Sequence, residues 1–143
     1  MANEVSIEME ALRVRLQKMR DRASNPNPVM GYIATMMHKD VMDHFDKEMG
    51  PNAHWKPLSP VTEAMRRKGK GKRGNKILQD TGLLRASIRP NNTKDTASVG
   101  TNVEYAEQHN EGDGRIPQRK FLWLSKPMID LIKAKVGKFI IED

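Results

Sequence analysis

The chain has 143 residues, with 25 basic and 18 acidic side chains and a formal net charge of +7. This length suits one hydrophobic core, and we expect a single domain over residues 1–143. Because the chain contains no cysteine, disulfide frameworks, cysteine nucleophiles and thiolate zinc sites are excluded. Its apolar runs are far shorter than the ~20 residues that span a bilayer, and the first residues lack the basic region of a secretory signal. We therefore expect no membrane partner.

Two amphipathic helices are predicted at the start of the chain. In the first, over residues 2–22, an apolar residue recurs every three or four positions, and this narrow stripe suits a partner helix or a neighbouring subunit. The stripe consists of Val5, Met9, Leu12, Leu16 and Met19. Asn27 is predicted to cap a second helix with a broad buried face, which ends near Met49 because Gly50 provides a left-handed stop. That face consists of Val29, Ile33, Met37, Val41 and Phe45.

A long connection with three prolines and three glycines follows, over residues 51–75. The end of this connection contains most of a run of seven bases with no acid among them: Arg66, Arg67, Lys68, Lys70, Lys72, Arg73 and Lys76. Without this run, 18 bases face 18 acids. Because the glycine-rich part buries little apolar surface, we expect a mobile basic loop over residues 66–76 on an otherwise balanced body.

The second half of the chain predicts short elements. Leu84, Ala86 and Ile88 alternate with polar residues, which predicts a half-buried strand, followed by a turn over residues 90–94 and a second strand over 96–101. A short helix is predicted within residues 103–110, and a last helix begins at Ser125. The sequence thus predicts an α+β domain with two N-terminal helices, a long basic loop, a small antiparallel or mixed sheet and a C-terminal helix.

No chemical site is predicted. Gly69 and Gly74 have the spacing of a phosphate-binding loop, but Asn75 stands where that motif needs lysine, and no Ser or Thr follows it. No two of the four histidines lie at the i, i+4 spacing that clamps a metal on a helix, and we interpret them as solvated or interface side chains. Neither a catalytic residue, nor a metal, nor a cofactor is predicted.

Several residues are candidates for architecture or for contacts between subunits. Gly82 and Gly100 are predicted to adopt backbone conformations closed to other residues, and Thr81 to satisfy an amide of the following turn. Trp55 lies in a proline-rich segment outside any predicted helix, as a packing anchor or an interface residue. Three further candidates, predicted to be presented together at a subunit contact, are Tyr105, His109 and Arg119. The alternative for Tyr105 is that it closes the local core.

Four ordered phrases carry a resemblance to a known family. They are residues 55–59 with Thr62, residues 77–84 with Ser87 and Ile88, residues 99–106 with His109, and Ile116-Pro117 with Arg119 and Phe121-Leu122. Over about residues 40–125 these four family phrases resemble the phage virion morphogenesis family, the tail completion or tail-terminator-like neck proteins of tailed phages and Mu-like prophages.

The resemblance implies a non-enzymatic structural protein of the virion, located in the tail–neck region and assembled in the host cytoplasm. It implies a ring, commonly of six subunits, that completes the tail and joins it to the head. The implied partners are other copies of the chain, the tail tube protein, and head–tail connector or neck proteins. Phe121 joins the interface candidates on this ground.

Two other function classes compete with this hypothesis. A small nucleic-acid-binding protein would use residues 66–76, but the run lacks interleaved aromatic residues and a groove-reading helix. The two hypotheses overlap, because DNA passes through the neck of a phage and non-specific contact with it is expected. A hydrolase or nuclease would need clustered carboxylates or an activated nucleophile, and neither arrangement is visible.

Overall fold

The computed structural model describes residues 2–67, 76–79 and 82–142. Within them lie six helices and two strands: α1 Ala2–Ser24, α2 Asn27–Lys47, α3 Pro60–Arg67, α4 Leu83–Ser87, β1 Arg89–Asn92, β2 Ala97–Gly100, α5 Ala106–Glu111 and α6 Lys126–Ile141. The predicted α+β class is confirmed. Of the basic run expected to be mobile, residues 68–75 and the side chains of 66 and 67 lie outside the described part, as does Thr81.

Helix α2 is the element against which the rest of the domain packs. It contacts both strands and α6, and the predicted face buries Val29, Ile33, Val41 and Phe45. The helix does not end as predicted, because the left-handed residue is Glu48, with φ +53°, and not Gly50. Glu48 gains two long-range bonds in this conformation. Its carbonyl accepts from the Trp55 amide at 2.8 Å, and its carboxylate accepts from the Ile77 amide at 3.0 Å.

The sheet is a two-stranded antiparallel hairpin that pairs Arg89 with Gly100 and Asn92 with Ala97. The strand predicted over residues 84–88 is wrong, because this segment forms α4 and the first strand begins where a turn was expected. Leu84 and Ile88 are both buried and lie four residues apart, a spacing that satisfies the period of a strand and that of a helix alike. In a strand, Ala86 would lie on the same buried face as Leu84 and Ile88. Ala86 is exposed, which agrees only with the helix.

The hydrophobic core lies over the C-terminal half of α2 and collects segments from most of the chain. Its buried members are Val41, Phe45, Trp55, Ile77, Leu78, Leu84, Ile88, Ala106 and Phe121. Aromatic contacts connect it: the Phe45 ring meets Trp55 edge-on at 5.6 Å and Phe121 at 5.4 Å between ring centroids. Segments that are distant in sequence are thus joined through Phe45.

A buried carboxylate fixes the start of α6 on α2. Asp40, which is 6% exposed, accepts from the amide and from the hydroxyl of Ser125, both at 2.8 Å. Ser125 also caps α6 as predicted, since its hydroxyl accepts from the Met128 amide. His44 stacks on Trp123 at 3.8 Å and its Nε2 bonds the Trp123 carbonyl at 2.9 Å. The interpretation of every histidine as a solvated or interface residue is therefore wrong for His44, which is 3% exposed.

Helix α1 extends away from this body. From Glu10 to Lys18 every side chain is exposed, and Met19 and Arg22 are partly buried near the end of the helix. Arg22 donates to the carbonyl of Ile140, the last turn of α6, at 3.3 Å. The predicted helix is confirmed. Within its described part, Leu12 and Leu16 of the stripe are open to solvent, at 48% and 54% exposed, and Met19 is partly buried. In the described part of the chain, no helix combines the length and apolar character that crossing a membrane requires.

We expect Asp40→Ala to lower the free energy of unfolding by about 2–3 kcal/mol, because the buried amide and hydroxyl of Ser125 lose their acceptor. The measurement is urea unfolding followed by circular dichroism. Asp43→Ala is the matched control on the same helix, since Asp43 forms an ion pair with Lys47 on the surface, and such pairs contribute little. Equal losses in the two variants would contradict this role of Asp40.

Candidate functional site

All four family phrases line one cleft of about 610 Å³. The first phrase contributes residues 56–59 and Thr62, the second Leu78 and residues 82–84, the third Tyr105 and His109, and the fourth Ile116, Pro117 and Arg119, with Arg115 beside them. These segments come from separate parts of the chain, and they meet because their neighbours share the core on α2. We treat this cleft as the candidate functional site.

Arg119 holds the walls of the cleft together. Its Nε donates to the Lys56 carbonyl at 2.9 Å and its Nη2 to the Pro57 carbonyl at 3.0 Å. Its own amide donates to the His109 carbonyl at 2.8 Å. One residue therefore links the first, third and fourth family phrases, through its side chain to the first and through its backbone amide to the third.

Three of the predicted interface residues are buried inside the subunit. Arg119 is 8% exposed, Trp55 6% and Phe121 0%. The burial of Trp55 favours its packing-anchor alternative, and the side chains of Arg119 and Phe121 are likewise occupied within the chain. Trp55 has a partner in the Lys120 carbonyl, to which its Nε1 donates at 2.9 Å.

Tyr105 and His109 are the two interface candidates that reach the surface of the cleft. Their rings meet edge-on, with 5.9 Å between centroids, and Tyr105 is 38% exposed. His109 is partly buried, and among the described residues its Nδ1 has no hydrogen-bond partner. Burial and the positive charge of Arg119 lower the pKa of His109, while Asp113 opposes the shift. The His109 imidazole is therefore uncharged at any pH above the usual histidine pKa. That the two contact another subunit stays a prediction.

Two side chains that sequence reasoning missed shape the loop after α5. The Asn110 Oδ1 accepts from the amides of Phe121 and Leu122, at 3.1 and 3.0 Å. The Asp113 Oδ1 accepts from the amides of Ile116 and Arg115, and these bonds lower the pKa of Asp113. The Asp-Gly-x-x sequence was the available signal, since Asp commonly bonds backbone amides two and three residues ahead.

The charged side chains among the described residues that line the cleft are all basic. Its described lining residues include Lys56, Arg115 and Arg119, together with His109, and contain no acid. Lys56 and Arg115 are exposed, whereas Arg119 is committed to the two carbonyls. The cleft is therefore basic at its surface and apolar along the walls formed by Leu58, Leu83 and Ile116.

Side chains of the types found in catalytic sites hold the start of α6 in place. The described residues contain no group of three side chains that could hold a metal. Asp40 and Ser125 bond each other at the start of α6, and His44 bonds the Trp123 carbonyl. The Ser125 hydroxyl donates to Asp40 and accepts from Met128, and no bond connects it to His44.

Residues 7–136 match the sequence model of the phage virion morphogenesis family. The chain belongs to this family. Comparison with curated proteins found no match, and neither did comparison with solved structures. The family match exceeds the region of the four phrases, since it includes most of α1 and reaches into α6. The matched range of this virion morphogenesis protein includes the residues that line the cleft and the exposed Leu12 and Leu16 of α1.

The two predicted architectural glycines differ. Gly82 directly precedes α4 and has φ +82°, which agrees with the left-handed backbone expected there. Gly100 is not among the described glycines with positive φ, and a Cβ there would meet no atom within 4 Å. The conformational reason expected for Gly100 is therefore wrong.

We expect Gly82→Val to lower the free energy of unfolding by about 1–3 kcal/mol, because a β-branched residue is strained at positive φ. Gly100→Val is the matched control and should change it by less than about 0.5 kcal/mol, since valine suits a strand with open space beside it. Urea unfolding of both variants measures the difference. An unaffected Gly82→Val protein would show that the αL conformation is not required.

A pH dependence follows from His109. Because folding lowers the pKa of His109 below the usual value for histidine, the unfolded chain binds the proton more readily. The stabilisation from the neutral imidazole is complete above about pH 6.5 and is lost as the pH falls towards the folded-state pKa. We expect unfolding midpoints in urea to decrease on acidification, and His109→Gln to weaken this decrease.

The control for this experiment is His54→Gln, which changes an exposed histidine. This variant should keep the pH dependence of the unmodified protein. If His109→Gln also keeps it in full, the dependence comes from other groups.

Proposed function

We propose that this protein completes the phage tail and joins it to the head connector as a ring of identical subunits, with six as the expected number. Family membership supports a structural role in virion assembly. On this proposal the partners are other copies of the chain, the tail tube protein, and connector or neck proteins, and the location is the tail–neck region.

The observation that carries the proposal is the exposed apolar stripe of α1. Of its members, Leu12 and Leu16 are each about half exposed, at 48% and 54%. Full burial of one such side chain stabilises a protein by about 1.5–3 kcal/mol, so a neighbour that covers the stripe gains a substantial free energy. Most soluble assemblies of identical subunits have closed symmetry, and a head-to-tail contact forms a ring when its rotation closes.

The cleft supports a binding function of the same kind. Its walls are fixed by bonds within the subunit, so it is present before a partner arrives. Exposed Leu83 and Tyr105, at 55% and 38%, lie beside exposed Lys56 and Arg115. Aromatic and apolar anchors surrounded by polar groups are typical of protein interfaces.

We expect the purified protein, alone or with tail tube protein, to show the mass of a ring by light scattering and ring-shaped particles in negative stain. Leu12→Glu with Leu16→Glu should reduce the mass to that of one subunit without changing the helix content, because both side chains are exposed in the subunit. Leu131→Glu, at an equally exposed leucine of α6, is the control. The proposal would be overturned if the wild-type protein remained monomeric when mixed with assembled tails.

The basic run favours a second candidate function, contact with DNA, because it accounts for the whole net charge of +7. Engagement of all seven bases would give binding a log–log salt slope near −6, at about −0.9 per neutralised phosphate. We expect a shallower slope, since ordering a glycine-rich segment costs about 1–2 kcal/mol per residue. Fluorescence anisotropy with duplex DNA at several salt concentrations measures it.

The matched variant replaces the seven bases of residues 66–76 with serine. We expect this variant to be defective in tail completion, because we assign the run to an acidic surface of a neighbouring ring. A variant that completes tails normally but no longer binds DNA would reverse this assignment and make DNA the partner of the run.

A further inference from the structure

We propose that His109 is an acid-sensitive switch for one wall of the cleft, because protonation of its imidazole detaches residues 115–119 from α5. We call residues 115–119 the wall segment, since four of them line the cleft. The inference goes beyond the proposed function, because it concerns a movement within the subunit and requires no particular occupant of the cleft. It also goes beyond the acid destabilisation of the whole fold, because the movement leaves the core closed.

Hydrogen bonds hold the wall segment on the last turn of α5. The Arg119 amide donates to the His109 carbonyl at 2.8 Å, and the Gln118 Nε2 donates to the Asn110 carbonyl at 3.3 Å. Because one of these acceptors belongs to His109 itself, a displacement of this residue acts directly on Arg119. The residue that titrates is therefore also a point at which the wall segment is attached.

The imidazole of His109 contains a buried nitrogen without a hydrogen bond. Within the described part of the chain its Nδ1 has no partner, and its ring meets Tyr105 edge-on at 5.9 Å between centroids. With its proton on Nε2, the neutral ring places only an acceptor at this position. Protonation puts a hydrogen on Nδ1 as well, and a buried charged donor without an acceptor is costly. The closed cleft therefore disfavours the protonated ring.

The charged groups that face His109 act in the same direction on balance. Burial and the positive charge of Arg119 lower the pKa of His109, and the negative charge of Asp113 offsets only part of this shift. The other charged side chains among the described lining residues, Lys56 and Arg115, are basic. All four charged residues belong to segments outside α5, so the closed arrangement of these segments opposes protonation.

Acid therefore favours an open state in which the ring reaches water. In that state the imidazole titrates near the usual histidine pKa of about 6.5, whereas in the closed state it titrates at a lower pH. The closed state is thus fully favoured above about pH 6.5 and becomes less favoured as the pH falls towards the lower value. The bond between Asp40 and the Ser125 amide involves neither α5 nor the wall segment, so α6 stays in place on α2.

Hydrogen exchange followed by mass spectrometry, with fragmentation that resolves single amides, tests the switch on the full chain. We expect the protection of the Arg119 amide to fall at least about threefold between about pH 7.5 and pH 5.5, after correction for the intrinsic exchange rate. His109→Gln should abolish this fall, because glutamine does not titrate. His54→Gln, which changes an exposed histidine, is the matched control and should keep it.

Low concentrations of urea separate the local movement from unfolding. Local opening exposes little surface, so it depends weakly on urea, whereas global unfolding depends strongly on it. We expect urea at about 1 M to leave the protection of the Arg119 amide nearly unchanged. The same concentration should lower the protection of the most slowly exchanging amides of α2 several-fold.

The titration of the ring itself gives an independent readout. The imidazole Cε1 hydrogen exchanges with deuterium at a rate that depends on ring protonation, so its pH profile gives the pKa of each histidine. We expect the midpoint for His109 to lie below that of the exposed His54. Asp113→Asn should lower it further, because asparagine retains an acceptor oxygen and removes the opposing negative charge. Asp95→Asn, at an exposed acid of the hairpin turn, is the control and should leave it unchanged.

Each outcome supports or overturns the switch. A midpoint for His109 at or above that of His54 would overturn it, as would an Arg119 amide whose protection does not change with pH. A His109→Gln variant that keeps the fall in protection would do the same. Protection at Arg119 that decreases with urea in parallel with the amides of α2 would also overturn it, because the movement is then global unfolding. The ring mass measured by light scattering does not depend on these results, so the switch and the proposed function fail separately.

Discussion

The geometry of the cleft depends on one buried guanidinium. A charge removed from water is costly unless hydrogen bonds compensate for it, and Arg119 meets this condition by donating to the carbonyls of Lys56 and Pro57 at 2.9 and 3.0 Å. Its planar fork presents two donors at a fixed angle, which the single ammonium of lysine does not. Because the Arg119 amide also bonds His109, the two walls of the cleft have one relative position, which the subunit sets by itself.

Helix α2 supports this arrangement from below. Val41 and Phe45 of its C-terminal half are completely buried, and the residue that ends the helix, Glu48, is held in a left-handed conformation that costs roughly 1–2 kcal/mol outside glycine. Two bonds offset this cost, from the amides of Trp55 and Ile77. The first two family phrases therefore start from the same residue of α2, which explains why they meet although about 20 residues separate them in sequence.

The sequence predicted those features that local patterns determine. Helical periodicity identified α1 and α2, and a serine before a proline-containing first turn identified the start of α6 at Ser125. The prediction failed at residues 84–88, where two buried residues four apart fit both periods. It did not find the partners of Trp55 and Arg119, which are carbonyls more than 60 residues away, because any residue type supplies a carbonyl and no side-chain pattern marks it. The bond between Asp40 and Ser125 was missed for the same reason of distance.

The polar contacts of Arg119 and Asp40 lie within the subunit, whereas Leu12 and Leu16 of α1 are exposed. This distribution affects the geometry of the proposed ring. In the proposed ring the exposed leucines of α1 meet a neighbouring subunit, so the angle between α1 and the body contributes to the rotation from one subunit to the next. That angle is set where α1 packs on α6 and Arg22 bonds the Ile140 carbonyl at 3.3 Å. The geometry of the proposed ring therefore depends on this contact within the subunit as well as on the surfaces that meet between subunits.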